Sequence, residues 1–299
     1  MNRETIKETV CKAGIDIGST TVKLVISDEK NRLLFGEYKR HMAHTKDALL
    51  ELLTQAAERL GDRPMQVHIT GSGALGIARS LGIPFTQEVV AVAKALKNYD
   101  PRTDVAVELG GEDAKIIYFT GGLEERMNGV CAGGTGSFID QMASLLQTDA
   151  SGLNEAAAKA KMVYPIASRC GVFAKTDIQP LINDGADRCD LAASVFQAVV
   201  NQTVSGLACG KPIKGRVAFL GGPLHFLPEL KKAFIKTLNL RPDEVIDPEN
   251  SHLFAAMGAA MSEEGTLLTI SELKEKLKAN TKIEYETKRL EPLFRNEEE

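Results

Sequence analysis

No apolar run in this 299-residue chain approaches the ~20 residues that a membrane-spanning helix needs. Residues 1–12 are polar and charged without an apolar core segment, so no signal peptide is expected, and the expected compartment is the cytoplasm. Cysteine is sparse: five residues, an odd number, with no C-x-x-C pair. That argues against a disulfide framework and for reducing surroundings. A net charge of −4 gives no support for nucleic acid or an anionic membrane as partner. The P-loop pattern G-x-x-x-x-G-K-[ST] is missing as well. What remains is ordinary globular material, 43% hydrophobic and 25% charged, long enough to bury large cores in about two domains.

The chain is organised around Gly14-Ile15-Asp16-Ile17-Gly18-Ser19-Thr20-Thr21-Val22-Lys23-Leu24-Val25. It reads as a strand, a tight Gly/Ser/Thr turn and a second strand, with Asp16 delivered to the turn. Such a turn can aim several backbone N–H groups at one point, which suits a phosphate, and the carboxylate can hold a phosphate-bound Mg²⁺ directly or through water. One copy would be a weak signal. The pattern returns as Glu108-Leu109-Gly110-Gly111-Glu112-Asp113-Ala114-Lys115-Ile116-Ile117, with Glu108 in the place of Asp16, Gly110 of Gly18 and Lys115 of Lys23. Two copies imply a duplicated scaffold whose facing turns could grip a polyphosphate. Lys23 and Lys115 are expected to point outward from their strands. Gly71-Ser72-Gly73-Ala74-Leu75-Gly76 matches the dinucleotide fingerprint, with Glu88 near the place of its ribose acid. The duplicated turns already account for these glycines, so nicotinamide binding is the weaker reading.

Along the chain, a third strand is expected over 32–39, a helix over 45–60 with Thr45 as its cap, a strand over 65–70 and a helix over 88–99. The second hairpin runs 104–119 and continues as a strand at 123–128. Helices are expected up to 146, over 154–161, from 168 to about 183, and as one long element from 187 to about 208. A strand over 215–220 leads into a third glycine turn, Gly221-Gly222-Pro223, and two short helices at 228–238 and 251–261 complete the compact part. After Glu263-Glu264-Gly265 the composition becomes charged. There 270–279 reads as a short helix and 281–299 as a polar tail outside the core.

The repeated hairpins, the later Gly-Gly turn and their order resemble the actin, hexokinase and heat-shock chaperone superfamily over 13–261. The resemblance implies an α/β, duplicated actin-like (ribonuclease H-like) ATPase fold with two subdomains around a nucleotide cleft. The expected division is 1–100, 101–265 and a terminal 266–299. Phosphate loop one would be 16–21, phosphate loop two 108–113, and Gly221-Gly222-Pro223 the adenosine loop. Reaction type stays open at this level. Cys131 and Cys170 each look like a helix start beside glycine, where partial positive charge favours thiolates. They are half of a [4Fe–4S] centre that a two-fold dimer could complete, or two buried structural cysteines. Cys189 and Cys209 face opposite sides of one expected helix, and Cys11 precedes the first strand.

Asn128-Gly129-Val130-Cys131-Ala132-Gly133-Gly134-Thr135-Gly136 and Arg169-Cys170-Gly171-Val172-Phe173, with the two loops, are similar to the ATP-dependent activators of 2-hydroxyacyl-CoA dehydratases and the ATPase subunits of benzoyl-CoA reductase. The resemblance implies a homodimer sharing one [4Fe–4S] cluster through Cys131 and Cys170 of each chain. It implies ATP/ADP and Mg²⁺ as cofactors, and phosphates held by Gly18, Ser19, Thr20, Thr21, Gly110, Gly111 and Glu112. Asp16 would orient the Mg²⁺ shell, and Glu108 or Asp113 would position water. Electrons would come from a donor such as ferredoxin or flavodoxin and pass uphill to a dehydratase or reductase. The family commonly carries Asp and then Gln in loop two, where this chain has Glu108 and Glu112. The tail is similar to members in which this module opens a longer fused polypeptide. The rival is a small-molecule kinase, with Asp140 and Asp177 as its nearest acids. A nucleotide-dependent assembly module without iron is the third reading.

Overall fold

The computed structural model describes residues 10–129 and 131–279. The first half contains β1 (Cys11–Ile17), β2 (Thr21–Ser27), β3 (Leu33–Arg40), α1 (Thr45–Leu60), β4 (Pro64–Thr70), α2 (Leu75–Leu81) and α3 (Glu88–Tyr99). The second contains β5 (Val105–Leu109), β6 (Ala114–Tyr118), β7 (Glu124–Met127), α4 (Gly136–Leu145), α5 (Ala150–Ala157), α6 (Gly171–Asn183), α7 (Arg188–Asn201), β8 (Val217–Leu220), α8 (Gly222–Phe226), α9 (Pro228–Thr237) and β9 (Val245–Ile246). α10 (Phe254–Ala260), β10 (Thr266–Thr269) and α11 (Ile270–Ala279) close the described chain.

Two five-stranded sheets result, ordered β10-β4-β1-β2-β3 and β7-β6-β5-β8-β9. In each, three strands form an antiparallel meander and a fourth joins the first in parallel, β4 beside β1 and β8 beside β5. The register repeats too: Asp16 lies opposite Lys23, and Glu108 opposite Lys115. The central strands are apolar on both faces because helices cover both sides. Ile15, Leu24, Leu49, Leu53 and Val67 fill the first core, and Val107, Ile116, Phe138, Phe196 and Phe219 the second.

Between the sheets sits α10. A Cβ at Gly14 of β1 would meet the Ala256 carbonyl at 1.9 Å, and one at Gly258 the Ala91 carbonyl of α3 at 1.8 Å. Glycine at these two positions lets helix and strand backbones touch. Phe254 and Ala255 of α10, with Val92 and Leu96 of α3, then reach Ala106, Ile117 and Leu220 of the second sheet.

Several expectations need correction. The chain does not leave the core after Gly265: β10 pairs with β4, and Ile270, Leu273 and Leu277 of α11 are buried in the first core. Residues 281–299, expected as a polar tail, lie outside the described residues. α5 begins at Ala150, earlier than expected, because Asp149 caps it by accepting the Gly152 N–H at 2.8 Å. Thr45 does not cap α1, whose N-cap position is held by His44 without a side-chain cap. The expected long helix is α7 followed by a π-helical turn over Gln202–Leu207, and Cys209 then takes a left-handed φ of 45°. Cys189 and Cys209 therefore do not share one regular helix.

Candidate functional site

Each hairpin turn closes in the same way. Gly18 N–H donates to Thr21 O at 2.9 Å, and Gly110 N–H to Asp113 O at 2.7 Å. The two turns face each other across a cleft, so close that a Cβ on Gly111 would lie 1.9 Å from Thr20 Oγ1. Gly18, Ser19, Thr20, Thr21, Gly110, Gly111 and Asp113 line it from the two loops. The third turn joins them: Gly221, at φ +89°, brings its backbone against Leu109 O, and Gly222 and Pro223 open α8 on the cleft wall. α4 is tied on at its N-terminus, where Gly136 and Ser137 N–H donate to Gly110 O and Gly111 O at 3.0 and 2.7 Å.

The floor is charged and buried. Asp16 is fully buried and accepts from Lys23 Nζ at 2.5 Å, while Lys115 Nζ pairs with Glu88 Oε2 at 2.8 Å. The expectation that both lysines point outward is corrected. Directly opposite residues of an antiparallel pair share a face, so each lysine follows its acid into the cleft. Burial pushes the Asp16 carboxyl up against the pull of Lys23. Burial also pushes Glu108 up to about 7, despite the nearby ammonium of Lys115. Asp113 is raised by burial as well. Glu88 stays below its ordinary value, since Lys115 and Lys23 outweigh its burial. Asp16 Oδ1 and Glu108 Oε2 are buried without a hydrogen-bond partner. Unsatisfied carboxylate oxygens are the ligands that a hard, oxygen-liganded divalent cation takes.

Residues that sequence reasoning passed over complete the site. Ser72, Tyr38 and Arg40 line the cleft, and Arg40 forms a bidentate pair with Asp140 of α4 at 2.8 and 3.3 Å. The fingerprint glycines serve close approach: a Cβ on Gly71 (φ +108°) would lie 2.5 Å from Asp16 Oδ1. Glu88 meets Lys115 in the cleft, which removes it from the role of ribose acid. His41 stands behind loop one. Its ring accepts Ala43 N–H at Nδ1, so Nε2 carries the proton toward Gly18 O at 3.2 Å. Its backbone N–H takes Thr20 O at 3.1 Å. Asp177 is engaged with Ala167 N–H at 2.8 Å, outside the cleft lining.

The amino-acid sequence matches one family over residues 13–262, described as the BadF/BadG/BcrA/BcrD ATPase family. The chain belongs to that ATPase family. It is 29% identical over 216 residues to the (R)-2-hydroxyglutaryl-CoA dehydratase activating ATPase of Acidaminococcus fermentans, covering 70% of this chain and 81% of that protein. It is 27% identical over 253 residues to the 2-hydroxyisocaproyl-CoA dehydratase activator of Clostridioides difficile, covering 83% and 92%. The crystal structure of the Acidaminococcus fermentans dehydratase component A superimposes with a TM-score of 0.73 at 24% identity, over 90% of this chain and 99% of that one. The Clostridium difficile activator with bound ADPNP gives 0.72 at 24%, over 95% and 100%. The fold is thus the duplicated actin-like ATPase fold. No helix among the described residues is long and apolar enough to cross a membrane.

The two cysteines lie together at one edge of the second half. Cys170 is the N-cap of α6 and half-buried. Cys131 is exposed, and it does not start a helix as expected, since it stands in the loop before Thr135, the N-cap of α4. Cys131 Sγ reaches Arg169 O at 3.3 Å, and a Cβ on Gly133 would lie 2.5 Å from the same oxygen, so the two loops are packed backbone to backbone. Val172 (73% exposed) and Phe173 (66%) stand beside them. No group of three or more His, Cys, Asp or Glu able to hold a metal occurs among the described residues. Two neighbouring thiols, one exposed and one half-buried, supply two of the four thiolates that an iron–sulfur cluster takes, and no third such ligand stands with them among the described residues.

Proposed function

We propose that this chain is an ATP-hydrolysing, iron–sulfur electron-transfer activator that serves a 2-hydroxyacyl-CoA dehydratase or a related reductase as a homodimer. The observation that carries this reading is the position of Cys131, exposed, and Cys170, half-buried, on two neighbouring loops, the first of which is bonded to the cleft. In the cleft, divided between halves that meet near residue 100, backbone N–H groups of Gly18, Ser19, Thr20 and Thr21 and of Gly110, Gly111 and Glu112 hold the β- and γ-phosphates of ATP. Gly221, Gly222 and Pro223 support the adenosine side. Asp16 would hold Mg²⁺, directly or through water, and the ion would neutralise charge developing on the phosphates. Glu108, held near neutrality by burial, accepts a proton from the attacking water, and Asp113 orients that water. Cys131 and Cys170, with the same pair from a second chain, would hold a [4Fe–4S] cluster, which would supply one-electron storage at low potential for electrons from a donor such as ferredoxin or flavodoxin. Closure and reopening of the cleft change the environment of the thiol loops.

Anaerobic reconstitution with iron, sulfide and ATPase assays tests the reading. About four irons per dimer are expected. Cys131→Ala and Cys170→Ala should each lose them while still binding nucleotide, and Asp16→Asn should lose hydrolysis. A colourless monomer that phosphorylates a sugar would overturn it.

A further inference from the structure

The loop bearing Cys131 is fastened to phosphate loop two at both ends. At its far end are the Gly136 and Ser137 N–H bonds to Gly110 O and Gly111 O. At its near end stands Asn128, buried at the close of β7. Its Oδ1 accepts Ala114 N–H at 2.7 Å, while Nδ2 donates to Glu112 O and to Cys131 O, both at 2.9 Å. Every hydrogen-bonding atom of the amide is used, and every partner is backbone, so the group has a single orientation. One side chain therefore bridges the turn that faces the opposing loop and the residue carrying the exposed thiol. From there Cys131 Sγ leads to Arg169 O, one residue from Cys170. A displacement of loop two cannot leave the thiol loop behind without breaking buried hydrogen bonds and leaving their groups unsatisfied.

We infer that Asn128 is the positioning residue that couples the nucleotide state of phosphate loop two to the placement of the Cys131 thiol. The inference rests on the proposed function for its purpose, but its content is a mechanical linkage that exists without iron. Asn128 is not among the residues that line the cleft. It fixes the distance between Glu112 and Cys131, so the rearrangement that admits and releases ATP is delivered to one member of the thiol pair. Coupling of this kind is reciprocal: holding the thiol loop in one position must bias the affinity for ATP over ADP by the same factor.

The test uses the iron-free protein and reads alkylation of Cys131 by iodoacetamide, peptide by peptide in a mass spectrometer, with Mg-ADP and with a non-hydrolysable Mg-ATP analogue. Wild type should show rates differing about 5-fold or more between the two nucleotides. In Asn128→Ala and Asn128→Asp that difference should collapse. Both should still be stabilised by nucleotide in thermal melts, which keeps loss of coupling apart from loss of binding. Asn128→Asp keeps the acceptor for Ala114 N–H and sets a carboxylate oxygen, in place of the donor, against Glu112 O and Cys131 O. Hydrogen exchange on the wild type requires no variant. Segments 111–114 and 131–136 should change protection together when ADP is replaced by the ATP analogue. A nucleotide response retained in both variants, or a wild type in which the two segments respond separately, would overturn the linkage. A chain that binds no iron but keeps the coupled thiol response overturns the electron-carrier reading and leaves this inference standing.

Discussion

Glu108 shows how one residue reports its surroundings through pH. Its carboxyl is almost wholly buried beside Lys115, Lys23, Glu88 and Asp16, and burial raises it to about 7 from 4.5. A carboxyl whose folded value lies above its unfolded one favours the fold only while protonated. Its contribution is complete below about 4.5 and is lost as pH rises through about 7. Glu108→Gln removes the titration while keeping the shape. In nucleotide-free protein the variant should match wild type near pH 4.5 and exceed it at pH 8 by on the order of 1–3 kcal/mol, read from urea melts across that range. Equal slopes of stability against pH would mean that Glu108 is ionised in the fold. The acids and glycines of the cleft were legible because a repeated turn singles them out. Lys23 and Lys115 were not, although the register of a hairpin turning at Gly18 already sets position 23 opposite 16. The bracing roles of His41 and Asn128 were not legible, since each acts by hydrogen bonds to backbone that only the folded chain brings near.

At the scale of elements, α11 shows where composition misleads. Seven of its ten residues are not buried, and its charge makes it read as solvated tail. Yet Ile270, Leu273 and Leu277 stand at the helical i, i+3, i+7 spacing and cover the first core beside α1. Leu273→Ala should therefore cost about 2–5 kcal/mol in chemical denaturation, as a leucine truncated in a filled core does. A loss below about 0.5 kcal/mol would return the helix to the surface. The hairpins were read correctly for the opposite reason: apolar strands around a glycine turn encode their own pairing locally. The shift of α5 and the π-helical turn after α7 depend on a cap and on packing, which a window of sequence sees poorly.

Across the whole molecule the halves are joined by the wedge of α10 and by the Arg40–Asp140 pair that spans the cleft. The pair is exposed and its contribution is small. The wedge is the stronger tie, because it admits no side chain where Gly258 meets α3. Gly258→Ala should push α10 off its seat and lower stability by about 1–3 kcal/mol. Calorimetry should show the loss in a single transition shared by both halves, with Glu58→Ala on the exposed side of α1 as a tolerated surface comparison. Two separated transitions in wild type would show that the wedge does not bind the halves into one cooperative unit.

The placement of α10, β10 and α11 also sets an order of assembly. The sheet made from the earliest strands lacks its fifth strand and two of its covering helices until residues beyond 250 have emerged. On the ribosome, the part of the polypeptide translated first is thus the part that must wait longest for completion, holding apolar strands open while the later half is still being made.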